Sequence, residues 1–194
     1  MTRPFAELPA SAAWRHQDAR VGFEVLFASR EIDGVRLDGH STGVEDGLAW
    51  GVRYTLLIDA SWRTRSAHVA VRSSVGAHDV ALDGDSGEWQ VDGEHAPALS
   101  GCLDVDLEAS ASTNVLPVRR LALEVGERAE APAAYVRAAD LRVERLEQSY
   151  ARLPDDGDHA RYDYASPVFD YRATLVYDEF GLVLDYPGIA VRVA

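Results

Sequence analysis

The chain of 194 residues contains no lysine, and all 19 of its basic residues are arginine. This absence excludes Schiff-base chemistry, a lysine general base and every Walker-type phosphate loop, because each requires a lysine amine. The basic residues are also outnumbered, since 32 acidic residues give a formal net charge of −13. A field of this sign repels nucleic-acid phosphates and anionic membrane surfaces. We therefore expect no nucleic acid among the partners.

Cysteine is nearly absent as well. The single residue, Cys102, cannot form a disulfide within the chain, and a free thiol is typical of a reducing compartment. No stretch approaches the roughly 18–20 apolar residues that a membrane-spanning helix needs. The segment Met1–Trp14 has no continuous apolar run of the kind found in signal peptides. These observations predict a cytoplasmic protein without stable membrane insertion.

The motifs of common enzyme and metal sites are missing too. The six histidines are scattered singly, without the spacing of a zinc site. No Gly-x-Ser-x-Gly turn is present, and Cys102 lies in an acidic stretch that disfavours its thiolate. The segment Asp83–Glu88 resembles part of a calcium loop but lacks the central glycine, so a hairpin turn suits it better. We expect no metal, no cofactor and no catalytic nucleophile.

What the sequence does contain is an alternation of apolar and polar residues with period two, which is typical of strands. In Gly22–Ser29 we expect Phe23, Val25 and Phe27 to face the interior. In Trp50–Ile58 the residues that we expect to face the interior are Trp50, Val52, Tyr54, Leu56 and Ile58. Asp-Gly pairs at 33–34, 38–39, 83–84 and 92–93 are candidates for tight turns.

Later segments are less regular. A second hairpin is predicted with its turn at Asp178–Gly181, whereas Glu127–Ala139 suits a loop with a short helical turn. Leu141–Tyr150 fits a strand or a short helix. The whole pattern predicts an all-β fold with little helix: a single-domain antiparallel sheet of many short strands, rolled into a half-barrel or β-roll. We expect residues 1–13 to form an N-terminal extension and residues 14–194 the domain.

The first candidate site lies in Gly101–Leu107. Alternation places Asp104 and Asp106 side by side on one face, together with Cys102. Neighbouring carboxyl groups can act as a general acid and base or bind a metal, because they push their pKa values apart and concentrate charge. In a chain this acidic they can equally form a strand face that meets solvent or an arginine.

A second candidate follows in Leu116–Leu123, which alternation predicts to be a strand with Arg119 on its apolar face. An arginine on such a face needs a partner. It can form a structural bridge with Asp104 or Asp106, or it can hold the headgroup of a ligand at the rim of an apolar cavity. Asn114, just before this segment, is a polar companion in either case.

Tyrosines crowd the C-terminal third of the chain. They are Tyr150, Tyr162, Tyr164, Tyr171, Tyr177 and Tyr186. Amphipathic rings at this density can line a cavity that holds a lipid tail and a polar head, or they can stack on sugars. They can also be ordinary cross-strand packing. If a cavity exists, we expect Trp50 and Tyr150 along its wall.

A set of short motifs between Gly87 and Gly188 occurs in a fixed order. They are Gly87-x-Trp89, Asp92-Gly93, Leu99-x-Gly101-Cys102-x-Asp104-Val105-Asp106-Leu107, Thr113-Asn114-x-Leu116-Pro117-Val118-Arg119-Arg120-Leu121, Tyr135-Val136, Leu141 with Val143, Gln148-x-Tyr150, Tyr162-x-Tyr164 and Gly181-Leu182-Val183-x-Asp185-Tyr186-Pro187-Gly188. In these residues the chain resembles the bacterial putative glycolipid-binding family, from about Trp14 to its C-terminus and most specifically between Gly101 and Leu121.

The resemblance implies a rolled antiparallel β-structure, similar in its half-barrel shape to the lipoprotein carriers of the bacterial envelope. It also implies a role in glycolipid binding, and it brings no catalytic residues. One departure concerns the turn after Asp104–Leu107, where Ser110-Ala111 stands in place of an expected Thr-Pro.

We therefore expect a cytoplasmic binding protein for a glycolipid or another amphipathic small molecule, without chemistry of its own. The expected ligand-binding residues are Arg119, Asp104, Asp106, Asn114, Trp50 and Tyr150. The alternative is a hydrolase or isomerase acting on a sugar-containing substrate through Asp104 and Asp106. A third interpretation is an interaction module that pairs through strand edges, so both a monomer and a homodimer stay open.

Overall fold

The computed structural model describes residues 4–18, 20–45 and 47–194. The strands in these ranges are β1 Ser11–His16, β2 Val21–Glu31, β3 Gly34–Glu45, β4 Leu48–Asp59, β5 Thr64–Ser73, β6 Gly76–Asp85, β7 Glu88–Val91, β8 Glu94–His95, β9 Asp104–Leu107, β10 Arg128–Glu130, β11 Ala133–Val136, β12 Val143–Leu146, β13 Ser149–Asp156, β14 His159–Ser166, β15 Tyr171–Tyr177, β16 Val183–Tyr186 and β17 Ala190–Arg192. The helices are α1 Val115–Leu121 and the 3-10 turns Pro97–Leu99, Ser112–Asn114 and Pro167–Phe169.

Two antiparallel meanders make up most of the fold. The first runs from β1 to β8 and the second from β13 to β17, and the pairing of β1 with β17 joins them into one sheet. That sheet has 14 strands in the order β10-β13-β14-β15-β16-β17-β1-β2-β3-β4-β5-β6-β7-β8 and does not close on itself. A small sheet, β12-β11-β9, lies apart from it. The predicted all-β class, with hardly any helix, is confirmed.

Strand β4 follows the predicted alternation. Trp50, Val52, Tyr54, Leu56 and Ile58 are all buried, as expected for a strand with one face on the core. The neighbouring strands β3 and β5 pair with β4 along nearly its whole length. The first meander therefore has a continuous apolar inner face.

Strand β2 faces the opposite way from the prediction. Phe23 and Phe27 are each 54% exposed, whereas Glu24 and Leu26, on the other face, are fully buried. The apolar stripe lies outside because Glu24 has buried hydrogen-bond partners inside the sheet, which the local pattern cannot reveal. The predicted inward position of Phe23, Val25 and Phe27 is wrong.

Only some of the Asp-Gly pairs form turns. Asp92-Gly93 has positive φ angles of 51° and 80° and connects β7 to β8, as predicted. The pairs 38–39 and 83–84 instead lie within β3 and β6, so their prediction as turns is wrong. Each of these glycines lies beneath an aromatic ring of the paired strand. A Cβ on Gly39 would clash with Tyr54, and one on Gly84 would lie 2.9 Å from Trp89.

Two irregular segments form strands. Glu127–Ala139 contains β10 and β11 instead of a helical turn, so that prediction is wrong. The four residues of β11 are buried between β9 and β12, and this tertiary pairing outweighs the helical preference of the alanines. Leu141–Tyr150 contains β12 and the start of β13, which confirms the strand alternative.

The predicted strand over Leu116–Leu123 is wrong, because its first part forms the helix α1. Pro117 lies in the first turn, where proline is tolerated, and Ala122 ends the helix in the left-handed conformation with φ of 46°. Val115 and Val118, one helical turn apart, are both fully buried, whereas a strand would place them on opposite faces.

Residues 104–121, comprising β9, the 3-10 turn and α1, form an interior segment packed against the concave side of the sheet. Glu24 of β2 binds this segment. Its carboxylate accepts hydrogen bonds from the Tyr54 hydroxyl at 2.6 Å, from the Ala111 amide at 2.6 Å and from the Ser110 hydroxyl. Burial raises the pKa of Glu24, and these donors oppose the shift. The interior of the roll is therefore filled by chain rather than left open.

Replacing Glu24 with Ala should lower the free energy of unfolding by about 3 kcal/mol or more, because buried donors on both the sheet and the interior segment lose their acceptor. Urea unfolding measures the change. Glu31→Ala, which removes an exposed carboxylate from the end of the same strand, is the control and should change stability little. Equal unfolding midpoints for the two variants would contradict this account of the fold.

Candidate functional site

Open space lies beside both ends of α1. Near the helix start, a cavity of about 210 Å³ is bounded by Asp106, Asn114, Tyr135, Tyr164, Tyr171 and Tyr186, and we call it the tyrosine cavity. Near the helix end, a cavity of about 350 Å³ is bounded by Phe5, Trp62, Arg119, Leu123, Arg152 and Tyr162, and we call it the arginine cavity.

The wall between the two cavities contains α1 and Tyr150. The ring of Tyr150 lies 5.1 Å from that of Tyr164 in the tyrosine cavity and 6.4 Å from that of Tyr162 in the arginine cavity. Its hydroxyl donates to Oδ1 of Asn114 at 2.9 Å. Tyr150 is therefore a buried partition between the two cavities, held in place by a polar contact to the interior segment.

The aromatic wall of the tyrosine cavity comes from the alternation of β14, β15 and β16. The rings of Tyr164, Tyr171 and Tyr186 lie 5.8–6.1 Å apart and meet at steep angles. On another side, the rings of Tyr135 and Phe169 are 5.6 Å apart. Aromatic rings in a cavity wall suit ligands that present an apolar face.

The tyrosine hydroxyls of this cavity stay protonated at neutral pH. Burial raises the pKa of Tyr171 to about 12 and raises that of Tyr164 and Tyr186 as well. The Tyr164 hydroxyl donates to Oε1 of Gln148 at 2.9 Å, and the Tyr171 hydroxyl donates to a main-chain carbonyl at 2.6 Å. These bonds orient the rings.

Asp106 and Asn114 supply polar groups at the floor of the cavity. Asp106 accepts a hydrogen bond from the Thr113 hydroxyl at 2.8 Å. Burial, supported by the nearby carboxylates of Asp104 and Glu108, raises the pKa of Asp106 to about 6. Near neutral pH this group can therefore either donate or accept a hydrogen bond.

Asp104 does not reach the tyrosine cavity. It is 1% exposed, and its two oxygens accept hydrogen bonds from Nε and Nη2 of Arg120 at 3.0 and 2.6 Å. The bridge to Asp104 that the sequence offered as one alternative for Arg119 is made by the next residue, since helical geometry turns the two arginines in different directions. This pair joins β9 to α1.

The six predicted site residues are thus separated. Asp106 and Asn114 line the tyrosine cavity, and Arg119 lines the arginine cavity. Trp50 is buried beneath Arg20, whose guanidinium lies 5.4 Å from the indole ring and also borders the tyrosine cavity. Tyr150 partitions the two cavities. No distance in the structure tests binding by any of them, so their ligand role stays a prediction.

Sequence reasoning missed several residues that line the cavities. Tyr135 and Phe169 border the tyrosine cavity, and Trp62 and Arg152 border the arginine cavity. Trp62 lies in the turn between β4 and β5 with φ of 63°, and nothing in its local sequence marks it. Only the density of tyrosines pointed to one of these regions.

The described residues form neither a metal site nor a membrane-spanning helix. No cluster of three or more His, Cys, Asp or Glu side chains is arranged to hold a metal ion. No helix there is long and apolar enough to cross a membrane. Cys102 is buried and unpaired, and burial raises the pKa of its thiol to about 11. The expected location, domain boundaries and oligomeric state stay predictions.

Comparison with known proteins adds a family and a fold. A protein family described as putative glycolipid-binding matches residues 11–192. A DUF1089 family protein from Pseudomonas aeruginosa is 35% identical, with a TM-score of 0.74 and coverage of 100% of this chain and 98% of that one. A β-barrel-like DUF1849 protein from Brucella abortus has the same general fold at 11% identity, with a TM-score of 0.53 and coverage of 97% and 95%. No curated protein matches the chain.

Replacing Asp106 with Asn should stabilise the protein at pH 8 but not at pH 4. The folded-state pKa of about 6 lies above the ordinary 3.8, so the favourable contribution of the protonated carboxyl is lost as pH rises through 6. Asparagine does not ionise, and the difference should reach about 1–3 kcal/mol at high pH. Thermal unfolding across this pH range measures it.

The control for this experiment is Asp158→Asn, which removes an exposed carboxylate from the loop between β13 and β14. Its stability should follow the pH dependence of the unaltered protein. If Asp106→Asn also leaves the pH dependence unchanged, the carboxyl of Asp106 is not perturbed as described.

Proposed function

The chain belongs to the putative glycolipid-binding family, and from this premise we propose that it binds a glycosylated amphiphile, with a sugar ring in the tyrosine cavity. The observation that carries the proposal is the aromatic wall of this cavity around the polar side chains of Asp106 and Asn114. Binding sites for small molecules combine apolar walls with a few converging polar groups in this way.

The cavity suits the two kinds of surface that a sugar presents. The faces of the ring carry C–H groups that pack on Tyr164 and Tyr186, and its edge carries hydroxyls that need hydrogen-bond partners. The carboxyl of Asp106 can accept or donate such bonds, and Arg20 at the border adds a donor. The volume of about 210 Å³ suits one sugar ring better than a long chain.

An apolar surface beside the cavity is available for the lipid part. Phe169, which lines the cavity, is 42% exposed, and its neighbour Val168 is 68% exposed. Both belong to the 3-10 turn between β14 and β15. Each methylene removed from water on such a surface contributes about 0.8 kcal/mol, so partial cover of a tail suffices for useful affinity.

The alternative of a sugar hydrolase or isomerase has weaker support. Glycoside hydrolysis, in its usual form, needs two carboxyl groups that flank the bond to be cleaved. Asp104 is buried against Arg120, and the other carboxylate at this cavity, Glu108, accepts hydrogen bonds from the Ala138 amide and from Arg137. Asp106 is then the one predicted catalytic carboxyl that faces the cavity, which favours binding over catalysis.

Replacing Tyr186 with Leu should weaken the binding of octyl glycosides by about tenfold, because one aromatic face contributes about 1–1.5 kcal/mol beyond its area. Calorimetric titration below the micelle concentration, with octyl glycosides of several hexoses, measures the affinity. Trp62→Leu removes an aromatic ring from the arginine cavity and is the matched control, for which unchanged affinity is expected.

The same incubations decide between binding and catalysis. We expect every octyl glycoside to be recovered intact. Release of free sugar that stops in Asp106→Asn, with the fold retained, would replace this proposal by the hydrolase alternative. Failure of all the octyl glycosides to bind the unaltered protein would remove the proposal altogether.

A further inference from the structure

The arginine cavity is the larger of the two and carries a different chemistry. Its walls are mostly apolar, with Phe5, Trp62, Leu123 and Tyr162 among them, and its volume of about 350 Å³ lies within the range of small-molecule sites. Two guanidinium groups, those of Arg119 and Arg152, border this apolar space. Two arginines in one mostly apolar cavity need a reason, because burying positive charge is unfavourable.

Arg119 is bonded to main-chain carbonyls in the described part of the chain. Its Nε and Nη2 donate to the carbonyl of Phe180 at 2.9 and 2.7 Å, and Nη2 also donates to the carbonyl of Ala6. The guanidinium lies 4.2 Å from the centre of the Trp62 ring. Burial lowers the pKa of Arg119 to about 10, so it remains a cation at neutral pH.

Two acidic residues, Asp178 and Glu124, lie near the arginine cavity. The charge of Asp178 acts to raise the pKa of Arg119. Asp178 itself accepts hydrogen bonds from Nη1 of Arg192 at 3.2 Å and from the amides of Phe180 and Leu182. Glu124 also borders the arginine cavity, but it is exposed at the rim. Arg119 therefore has no ion-pair partner in the described part of the chain, whereas Arg152 is paired with Asp155.

Arg152 adds a second, fully buried guanidinium. It is 2% exposed and bonds to Asp155 and to the carbonyls of Leu153 and Arg161, while its Cζ lies 5.2 Å from the centre of the Tyr162 ring. Its Nε is buried and has no hydrogen-bond partner among the described residues. An unsatisfied buried donor in a cavity wall is unfavourable unless something else accepts its hydrogen bond.

We propose that the arginine cavity is a second binding site, which takes an anionic amphiphile: a carboxylate or phosphate beside Arg119 and Arg152, attached to an apolar chain. A planar guanidinium binds the oxygens of such groups in pairs, and the apolar walls cover the chain. Because the protein as a whole carries a charge of −13, recognition of an anion requires a local positive site of this kind.

Residues 4–8 give the site a covering strap. Phe5 borders the cavity, and the Ala6 amide donates to the carbonyl of Glu179 at 2.8 Å. The Ala6 carbonyl accepts a hydrogen bond from Nη2 of Arg119. A charged acceptor binds a guanidinium more strongly than a neutral carbonyl does, so the anion can replace Ala6 on Arg119 as it enters.

The test compares dodecanoate with dodecanol, which have the same chain but differ in charge, by calorimetric titration below their aggregation limits. We expect dodecanoate to bind with one-to-one stoichiometry and dodecanol about tenfold or more weakly. In the Arg119→Gln variant, the affinity for dodecanoate should fall to that for dodecanol, and the affinity for dodecanol should stay unchanged. Arg172→Gln, which removes an exposed arginine that borders neither cavity, should leave both affinities unchanged.

Dodecyl phosphate, titrated in parallel, shows whether the preferred anion is a carboxylate or a phosphate. Equal binding of the anion and the alcohol would overturn the proposal, and so would binding that Arg119→Gln leaves unchanged. Absence of dodecanoate binding up to about 1 mM, the limit of weak specific affinity, would overturn it as well. If Arg119→Gln does not fold, Arg119→Lys serves instead, since it keeps the charge but loses the paired donors and should bind dodecanoate more weakly.

The two cavities can be tested separately. Tyr186→Leu should leave dodecanoate affinity unchanged, and Arg119→Gln should leave octyl glycoside affinity unchanged, since α1 and Tyr150 lie between the sites. The proposal of an anion site can therefore be disproved while the proposal of a sugar site stands, and the reverse. Parallel loss of both affinities in either variant would contradict two independent sites.

Discussion

The buried carboxylate of Glu24 is the contact on which the rest of the structure depends. It bonds the first meander to the Ser110–Ala111 turn and so holds the interior segment inside the roll. This contact orients β2 with its polar face inward and leaves Phe23 and Phe27 outside. The tyrosine and arginine cavities lie beside the two ends of α1, the helix of this interior segment.

The all-β class and the meander could be predicted because period-two alternation is local. The alternation predicts the buried face of β4 correctly. It predicts the wrong buried face for β2, because the buried side chain of Glu24 decides which face lies inside. Its partner Ala111 lies 87 residues away in sequence. The Asp104–Arg120 bridge was missed because α1, formed by a short apolar run, was taken for a strand.

The candidate site was predictable in part. Asp106 is predicted from its alternation with Asp104 on one strand face, Asn114 from its place just before Leu116–Leu123, and an aromatic wall from the density of tyrosines. Arg119 was expected beside these residues but lies beyond α1 in the other cavity, together with Trp62 and Arg152, which no local pattern marks. Membership of the putative glycolipid-binding family and the 35% identity to the Pseudomonas aeruginosa protein extend the fold, but not the ligand, to this chain.

The central claim is that this filled roll binds an amphiphile that carries a sugar. The most direct measurement is a native mass spectrum of the protein after incubation with a total bacterial lipid extract, followed by solvent extraction of whatever remains bound. The account predicts an added mass that is released as a sugar-bearing lipid. Absence of any sugar-bearing adduct, whether the chain is bare or carries only a sugar-free lipid, would contradict it.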